Sequence, residues 1–273
     1  MLPGIHVSAA GGLVKALERA DSLSLSAAQI FTSSQTRWKG RVIEERESSE
    51  FLSRRNIPFI SHASYLINLS SDRMEVIEKS VIALHEELGR MNAFGIELLV
   101  MHPGAHMGRG EKVGMEQIAA NISRVLEDSP GSSRILLENT AGMGSCLGWR
   151  FEQLCSILDM ISIPDRTGVC IDTAHAFAAG YDFATPDAVE RTLGELDEVI
   201  GFDRVHAFHI NDSKTLLGSR VDRHQSVGKG EIGLEGLRHL VNCSSLIDVP
   251  AIVETPGSDE DRKSDIDHLF YRG

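Results

Sequence analysis

The hydrophobic pattern divides the chain into eight short apolar runs separated by longer amphipathic stretches. The runs lie at residues 4–7, 27–31, 57–62, 96–102, 134–138, 167–172, 204–209 and 249–254, with starts 23 to 45 residues apart. Each is too short for a helix, several are rich in Val and Ile, and turn residues bound them, so they read as buried strands. Between them, residues 13–23, 42–55, 74–94, 113–126, 151–158, 188–200 and 234–241 read as helices, and 259–269 as a last one. Within 74–94, Val76, Ile77, Val81, Ala83, Leu84 and Leu88 form a broad apolar stripe. Asp187, just after Thr185-Pro186, supplies an acidic first turn. Strands buried on both faces and alternating with helices predict an α/β fold, a single (β/α)8 TIM barrel with a parallel sheet. No composition shift or linker divides the chain, so residues 1–273 are expected to form one domain. A doubly wound open sheet is the rival fold. No G-x-G-x-x-G follows the first strand, where Ala10-Gly11-Gly12 reads as a turn at a helix start.

Composition narrows the class. With 42% hydrophobic and 24% charged residues the chain is neither disordered nor low-complexity. No apolar run approaches the ~20 residues that span a bilayer, so no membrane association is expected. Met1-Leu2-Pro3-Gly4-Ile5-His6 has no basic region followed by an apolar one, which argues against a signal peptide. The cysteines at 146, 155, 170 and 243 form no C-x-x-C pair, as expected of reduced thiols in a cytoplasmic protein. A net charge of −12 is a poor starting point for nucleic-acid binding, which something more specific must overrule.

That specific signal sits at the strand ends, where barrel chemistry is placed. Six of the eight strands end in His62, His102, Glu138, Asp172, His209 and Glu254. Asp, Glu and His total 50 of 273 residues, so chance would place about one or two of them there. Singly, such a His is more often a hydrogen-bonded core residue, and such a carboxylate a helix cap. Together, three carboxylates at one mouth repel unless cations neutralise them. Imidazole plus carboxylate suits zinc or manganese better than calcium. Two further sets lie just beyond strand ends. His175 follows Asp172 by three residues, and in an extended segment Asp222 and His224 point the same way and can share an ion. Nine donors exceed one tetrahedral site and fill two to three sites if one carboxylate bridges. Clustered divalent ions are a phosphoryl-transfer device, so phosphodiester hydrolysis leads the functional reading.

The chain also resembles the endonuclease IV family of apurinic/apyrimidinic endonucleases over nearly its whole length. The segments that carry the resemblance are His6-Val7-Ser8-Ala9-Ala10-Gly11-Gly12, Ser64-Tyr65-Leu66-Ile67-Asn68-Leu69, His102-Pro103-Gly104 and Leu137-Glu138-Asn139-Thr140-Ala141-Gly142. They continue with Ile171-Asp172-Thr173, His175-Ala176-Phe177-Ala178-Ala179-Gly180-Tyr181-Asp182, Asn211-Asp212-Ser213-Lys214, Arg220-Val221-Asp222-Arg223-His224 and Glu254-Thr255-Pro256-Gly257. The resemblance implies a TIM barrel holding three zinc ions. His62, His102 and Glu138 would hold one; Glu138, bridging, with Asp172, His209 and Glu254 a second; His175, Asp222 and His224 the third. It implies a DNA repair nuclease of base excision repair that hydrolyses the phosphodiester 5′ to abasic sites. The products would be 3′-hydroxyl and 5′-deoxyribose-phosphate ends, and blocking groups on 3′ ends would also be removed. A metal-activated hydroxide would attack the phosphate, with Glu138 the catalytic residue that helps take the water's proton. The partner would be double-stranded DNA with abasic sites or blocked 3′ ends, the protein acting as a monomer.

Bending a duplex at an abasic site commonly uses inserted side chains. Arg37 in the second loop and Tyr65 and Leu66 in the third are the matching DNA-binding candidates, with Trp38 bracing the second loop. Lys214, Arg220, Arg223 and Lys229 are candidates for phosphate contacts, with plain surface solvation the alternative. Residues 32–38 depart from the family's usual loop, as do Ala63, Met143, Ala174, Ser226 and Val227, and none of these is a ligand candidate. The competing function is a metal-dependent sugar isomerase or epimerase of the same barrel type. It would use Glu138, Asp172, His209 and Glu254 around one or two ions, and leaves the other five donors without a role. A non-enzymatic metal store or DNA-binding module is a more distant alternative.

Overall fold

The structure is a computed structural model that describes residues 1–270, so the last three residues of the expected 1–273 domain lie outside the described residues. In chain order the strands are β1 (Leu2–His6), β2 (Ala27–Ile30), β3 (Phe59–His62), β4 (Leu98–Met101), β5 (Arg134–Glu138), β6 (Thr167–Asp172), β7 (Val205–His209), a short hairpin of β8 (Asp212–Ser213) and β9 (His224–Gln225), and β10 (Pro250–Val253). The hairpin stands apart. The other eight strands close into a parallel barrel in the order β1-β10-β7-β6-β5-β4-β3-β2. The helices are α1 (Leu13–Ser22), α2 (Glu45–Arg54), α3 (Met74–Phe94), α4 (Glu111–Asp128), α5 (Phe151–Met160), α6 (Thr173–Ala179), α7 (Pro186–Val199), α8 (Leu234–Val241) and α9 (Asp259–Phe270). The closed barrel excludes the open-sheet alternative.

Two cores hold this arrangement. The larger lies between strands and helices, where Phe51 of α2 meets Phe59 of β3 and Phe94 of α3 edge-on, at ring separations of 5.0 and 5.4 Å. Each fully buried side chain of this size contributes about 1.5–3 kcal/mol through the area it removes from water. The smaller core fills the barrel interior with Ala27, Ile60, Val100, Leu136, Cys170, Ala207 and Ile252. Side chains alternate along a strand, so residues two positions further on face the same interior one layer nearer the C-terminal mouth. Those residues are Gln29, His62, His102, Glu138, Asp172, His209 and Glu254. The apolar layer is the floor on which the polar layer stands.

Two elements were not expected. In α6, every residue from Thr173 to Ala178 is buried, so no polar face alternates with an apolar one and the helical period is invisible. The β8–β9 hairpin has two-residue strands, too short for an alternation to register. His102 and Glu254 stand one residue beyond β4 and β10.

Candidate metal centre at the barrel mouth

Each donor arrives from a different element, and its direction is set by a second contact. His62 Nδ1 lies 2.8 Å from the Ala63 carbonyl oxygen and His175 Nδ1 3.0 Å from that of Asn139. A carbonyl only accepts, so each of these nitrogens carries a proton and the opposite Nε2 is the atom left for a metal. His209 is turned the other way. Its Nε2 donates to Gln29 Oε1 at 2.9 Å, which leaves Nδ1 facing the centre. The Gln29 amide is itself oriented, because its Nε2 donates to Glu254 Oε1 at 2.5 Å. Such outer contacts fix tautomer and ring direction around a metal.

Glu138, 1% exposed, is the hub. Its Oε2 is 3.2 Å from Nε2 of both His62 and His102, and its Oε1 is 3.1 Å from His209 Nδ1 and 3.2 Å from His175 Nδ1. His209 Nδ1 also lies 3.0 Å from Glu254 Oε2 and 3.9 Å from Asp172 Oδ2. On the outer side, His175 Nε2 is 3.2 Å from Asp222 Oδ2, and His224 Nε2 is 3.5 Å from Asp222 Oδ1 and 3.6 Å from Asp172 Oδ2. Among the described residues, three sets of donor atoms lie within 4.8 Å of one another: His62, His102 and Glu138; Glu138, Asp172, His209 and Glu254; and Asp172, His175 and His224. The first two have the members that the family resemblance implies; the third holds Asp172 where the resemblance implies Asp222. Asp222, expected in the third, closes on both of its histidines.

Electrostatics gives these distances their meaning. Burial alone pushes Glu138 and Glu254 up. The imidazoles around them, His209 foremost, outweigh that and hold both well below the ordinary carboxylate range. Burial pulls His175 and His209 down. It is outweighed at His175 by Asp172, Asp222 and Glu138, and at His209 by Cys170, Glu254 and Glu138, so both rise well above the ordinary imidazole value. Asp222 is likewise raised by burial but brought down to about 2 by His175, His224 and His102. Without other cations, the carboxylates must be compensated by protons on the imidazoles. His224 Nε2 is buried and, among the described residues, has no hydrogen-bond partner. Ring nitrogens facing carboxylate oxygens, an orphaned ring nitrogen and a pure N/O donor set all fit divalent zinc or manganese.

The rim carries the other predicted residues. Arg37 is exposed on the loop after β2 and is not brought into the donor cluster. That loop is anchored by two buried residues that the sequence reading missed, Glu87 and Arg90 of α3. Thr32 Oγ1 donates to Glu87 Oε1 at 2.5 Å, and Arg90 Nε donates to Thr32 Oγ1 at 3.0 Å. Gln29 was missed as well, although the two-residue period of β2 would have placed it on the interior face. Tyr65 is 56% exposed, with its ring 5.3 Å from that of His62 and 5.8 Å from that of His102, so it overhangs the donors. Leu66 is half-buried beside it. Arg220, in the loop between β8 and β9, stacks its guanidinium 3.9 Å from the centre of the Trp149 ring. Among the described residues all four cysteines are free, and no helix is long and apolar enough to cross a membrane.

Comparison with known proteins agrees with this geometry. Residues 17–271 match the family described as xylose isomerase-like TIM barrel. A probable endonuclease 4 of Chloroflexus aggregans is 46% identical, covering 94% of this chain and 92% of its own. One from Citrifermentans bemidjiense is 43% identical, with 95% and 94% covered. Among solved structures, endonuclease IV from Thermus thermophilus superposes with a TM-score of 0.89 at 35% identity, covering 98% of this chain and 97% of that one. A D-tagatose 3-epimerase-like protein has a TM-score of 0.74 at 20% identity over 98% and 96% of the two chains, which shows a shared fold alone. A closed barrel with this polar layer at its mouth, and relatives of this name matching over most of both chains, make the chain a member of the endonuclease IV family of apurinic/apyrimidinic endonucleases.

Proposed function

We propose that the protein hydrolyses the DNA phosphodiester 5′ to abasic sites and trims blocked 3′ ends, using three zinc ions at the barrel mouth. The residues that would hold them are His62, His102 and Glu138; Glu138, Asp172, His209 and Glu254; and His175, Asp222 and His224. The observation that carries this reading is the convergence of nine side chains on one mouth, with Glu138 facing four imidazoles. An epimerase of this fold would occupy Glu138, Asp172, His209 and Glu254 and leave the outer His175–Asp222–His224 set without a purpose.

When bound, divalent ions there polarise the phosphate and lower the pKa of water toward about 7. The chain's own groups supply the rest. Glu138, kept ionised by its imidazole neighbours, accepts the proton of the attacking water. Gln29 holds His209 in one tautomer. Tyr65 and Leu66 enter the duplex beside the missing base, and Arg37 joins them from the preceding loop. The positive charge of loaded ions makes the mouth attractive to phosphate despite the net charge of −12.

Incubation with an abasic duplex and, separately, with a panel of ketoses tests the function. Incision giving 3′-hydroxyl and 5′-deoxyribose-phosphate ends is expected, with the ketoses unchanged. Ketose turnover beside intact DNA would replace this reading with sugar chemistry. The rim is tested by the Tyr65→Ala, Leu66→Ala double variant. Its affinity for abasic duplex, measured by fluorescence anisotropy, should fall about 10–100-fold, in line with the ~1–3 kcal/mol that stacking contributes per base. Wild-type affinity in that variant would rule out insertion by this pair.

A further inference from the structure

Asp212 is a carboxylate with no exposed surface, and among the described residues no cationic side chain pairs with it. Its charge is met instead by five backbone N–H groups of a single loop. Oδ1 accepts from Ser213 at 2.8 Å and Ile232 at 3.0 Å, Oδ2 from Gly228 at 2.9 Å and Gly230 at 3.0 Å, and Gly233 donates to both at 3.3 Å. Backbone N–H groups that converge in this way form a nest for an anion. Here the anion is the protein's own. The sequence is built for it: a Cβ on Gly230 would come within 2.3 Å of the Ser213 carbonyl oxygen and 2.5 Å of Asp212 Oδ1.

The loop that closes on Asp212 carries Asp222 and His224. Its apolar anchoring is limited to Val227 and Ile232, which join the main hydrophobic core, while Leu216 and Leu217 are exposed. The nest adds a polar anchor to these two apolar ones. It also fixes the hairpin, in which Asp212 lies opposite Gln225 and Ser213 opposite His224, the register that sets His224 Nε2 3.6 Å from Asp172. On the preceding residue, Asn211 Nδ2 donates to Asp172 Oδ2 at 2.6 Å, so the chain turns from orienting a donor to orienting the loop within one residue.

We propose that Asp212 is a positioning residue: by folding residues 213–233 around its carboxylate it sets where Asp222 and His224 stand. The part of this that concerns an ion rests on the function proposed above. In Asp212→Asn one acceptor oxygen becomes an NH2 group facing N–H donors, and the charge is lost. Trypsin cleavage after Lys214, Arg220, Arg223 or Lys229 in metal-free protein is expected to run at least tenfold faster than in wild type, because it follows local opening of the loop. Zinc content should fall by one ion per chain, with the cooperative thermal transition of the barrel retained. Gly230→Ala disturbs the same nest without touching the carboxylate and should reproduce both effects. A wild-type cleavage rate or an undiminished zinc content in these variants overturns the proposal. So does loss of the cooperative transition in both, since Asp212 would then be a determinant of the whole barrel. Wild-type protein that takes up no zinc defeats the proposed function instead, and the cleavage rate alone then decides the role of Asp212.

Discussion

Replacing Glu138 by Gln is expected to lower abasic-site incision by about 10³-fold or more. The expectation rests on where its two oxygens lie. One faces His62 and His102 and the other faces His175 and His209, all at 3.1–3.2 Å. Gln keeps the shape but replaces one oxygen by a donor, and the remaining carbonyl is neutral. In the proposed site a carboxylate shared by two ions would offer each of them an oxygen, so the variant would lose its hold on an ion as well as the group that would take the proton. Removing one electrostatic stabiliser from an active site costs about 10²–10³ in rate, and changes outside the first ring of ligands cost about 10–100-fold in metal affinity. Loss of the shared carboxylate should exceed both. Single-turnover incision together with metal analysis checks this. Unchanged incision would remove Glu138 from the chemistry.

Stripping the metals should abolish incision to a comparable degree and lower the melting temperature by at least about 10 °C, with zinc restoring both. An ion present at 1,000 times its Kd stabilises by about 4 kcal/mol, and for a chain of this size each kcal/mol moves the melting temperature by about 2–4 °C. The protons show the direction of the pH effect. In the metal-free site His175 and His209 hold theirs well above the ordinary imidazole pKa, because buried carboxylates surround them. An entering ion must displace those protons, so zinc uptake releases protons and strengthens as pH rises. Calorimetry in buffers of different ionisation enthalpy, with a thermal scan before and after chelation, measures both quantities. Full activity after exhaustive chelation would exclude a metal mechanism.

The alternation of short apolar runs with amphipathic stretches was enough to specify the barrel, because burial on both faces of a parallel strand leaves a continuous apolar run. The donors were legible for the same reason: His62, Glu138, Asp172 and His209 each interrupt a run at its last residue. Gln29 was not legible as part of the site, since an uncharged amide inside a strand reads as an ordinary polar residue until Glu254 and His209 are seen against it. Glu87 and Arg90 were hidden on a helix where charged residues usually face water. Asp212 stood within a recognisable stretch, but its role depends on five N–H groups up to 21 residues away.

The sequence by itself determined the fold and the donor types, because strand periodicity and the chemistry of His, Asp and Glu are local properties. Only the tertiary structure decided which oxygen of Glu138 faces which imidazole, which ring nitrogen each histidine turns inward, and what holds the outer loop in place. Those depend on closing the barrel, which brings residues as distant as Gln29 and Glu254 into one hydrogen bond. No pattern along the chain encodes that juxtaposition.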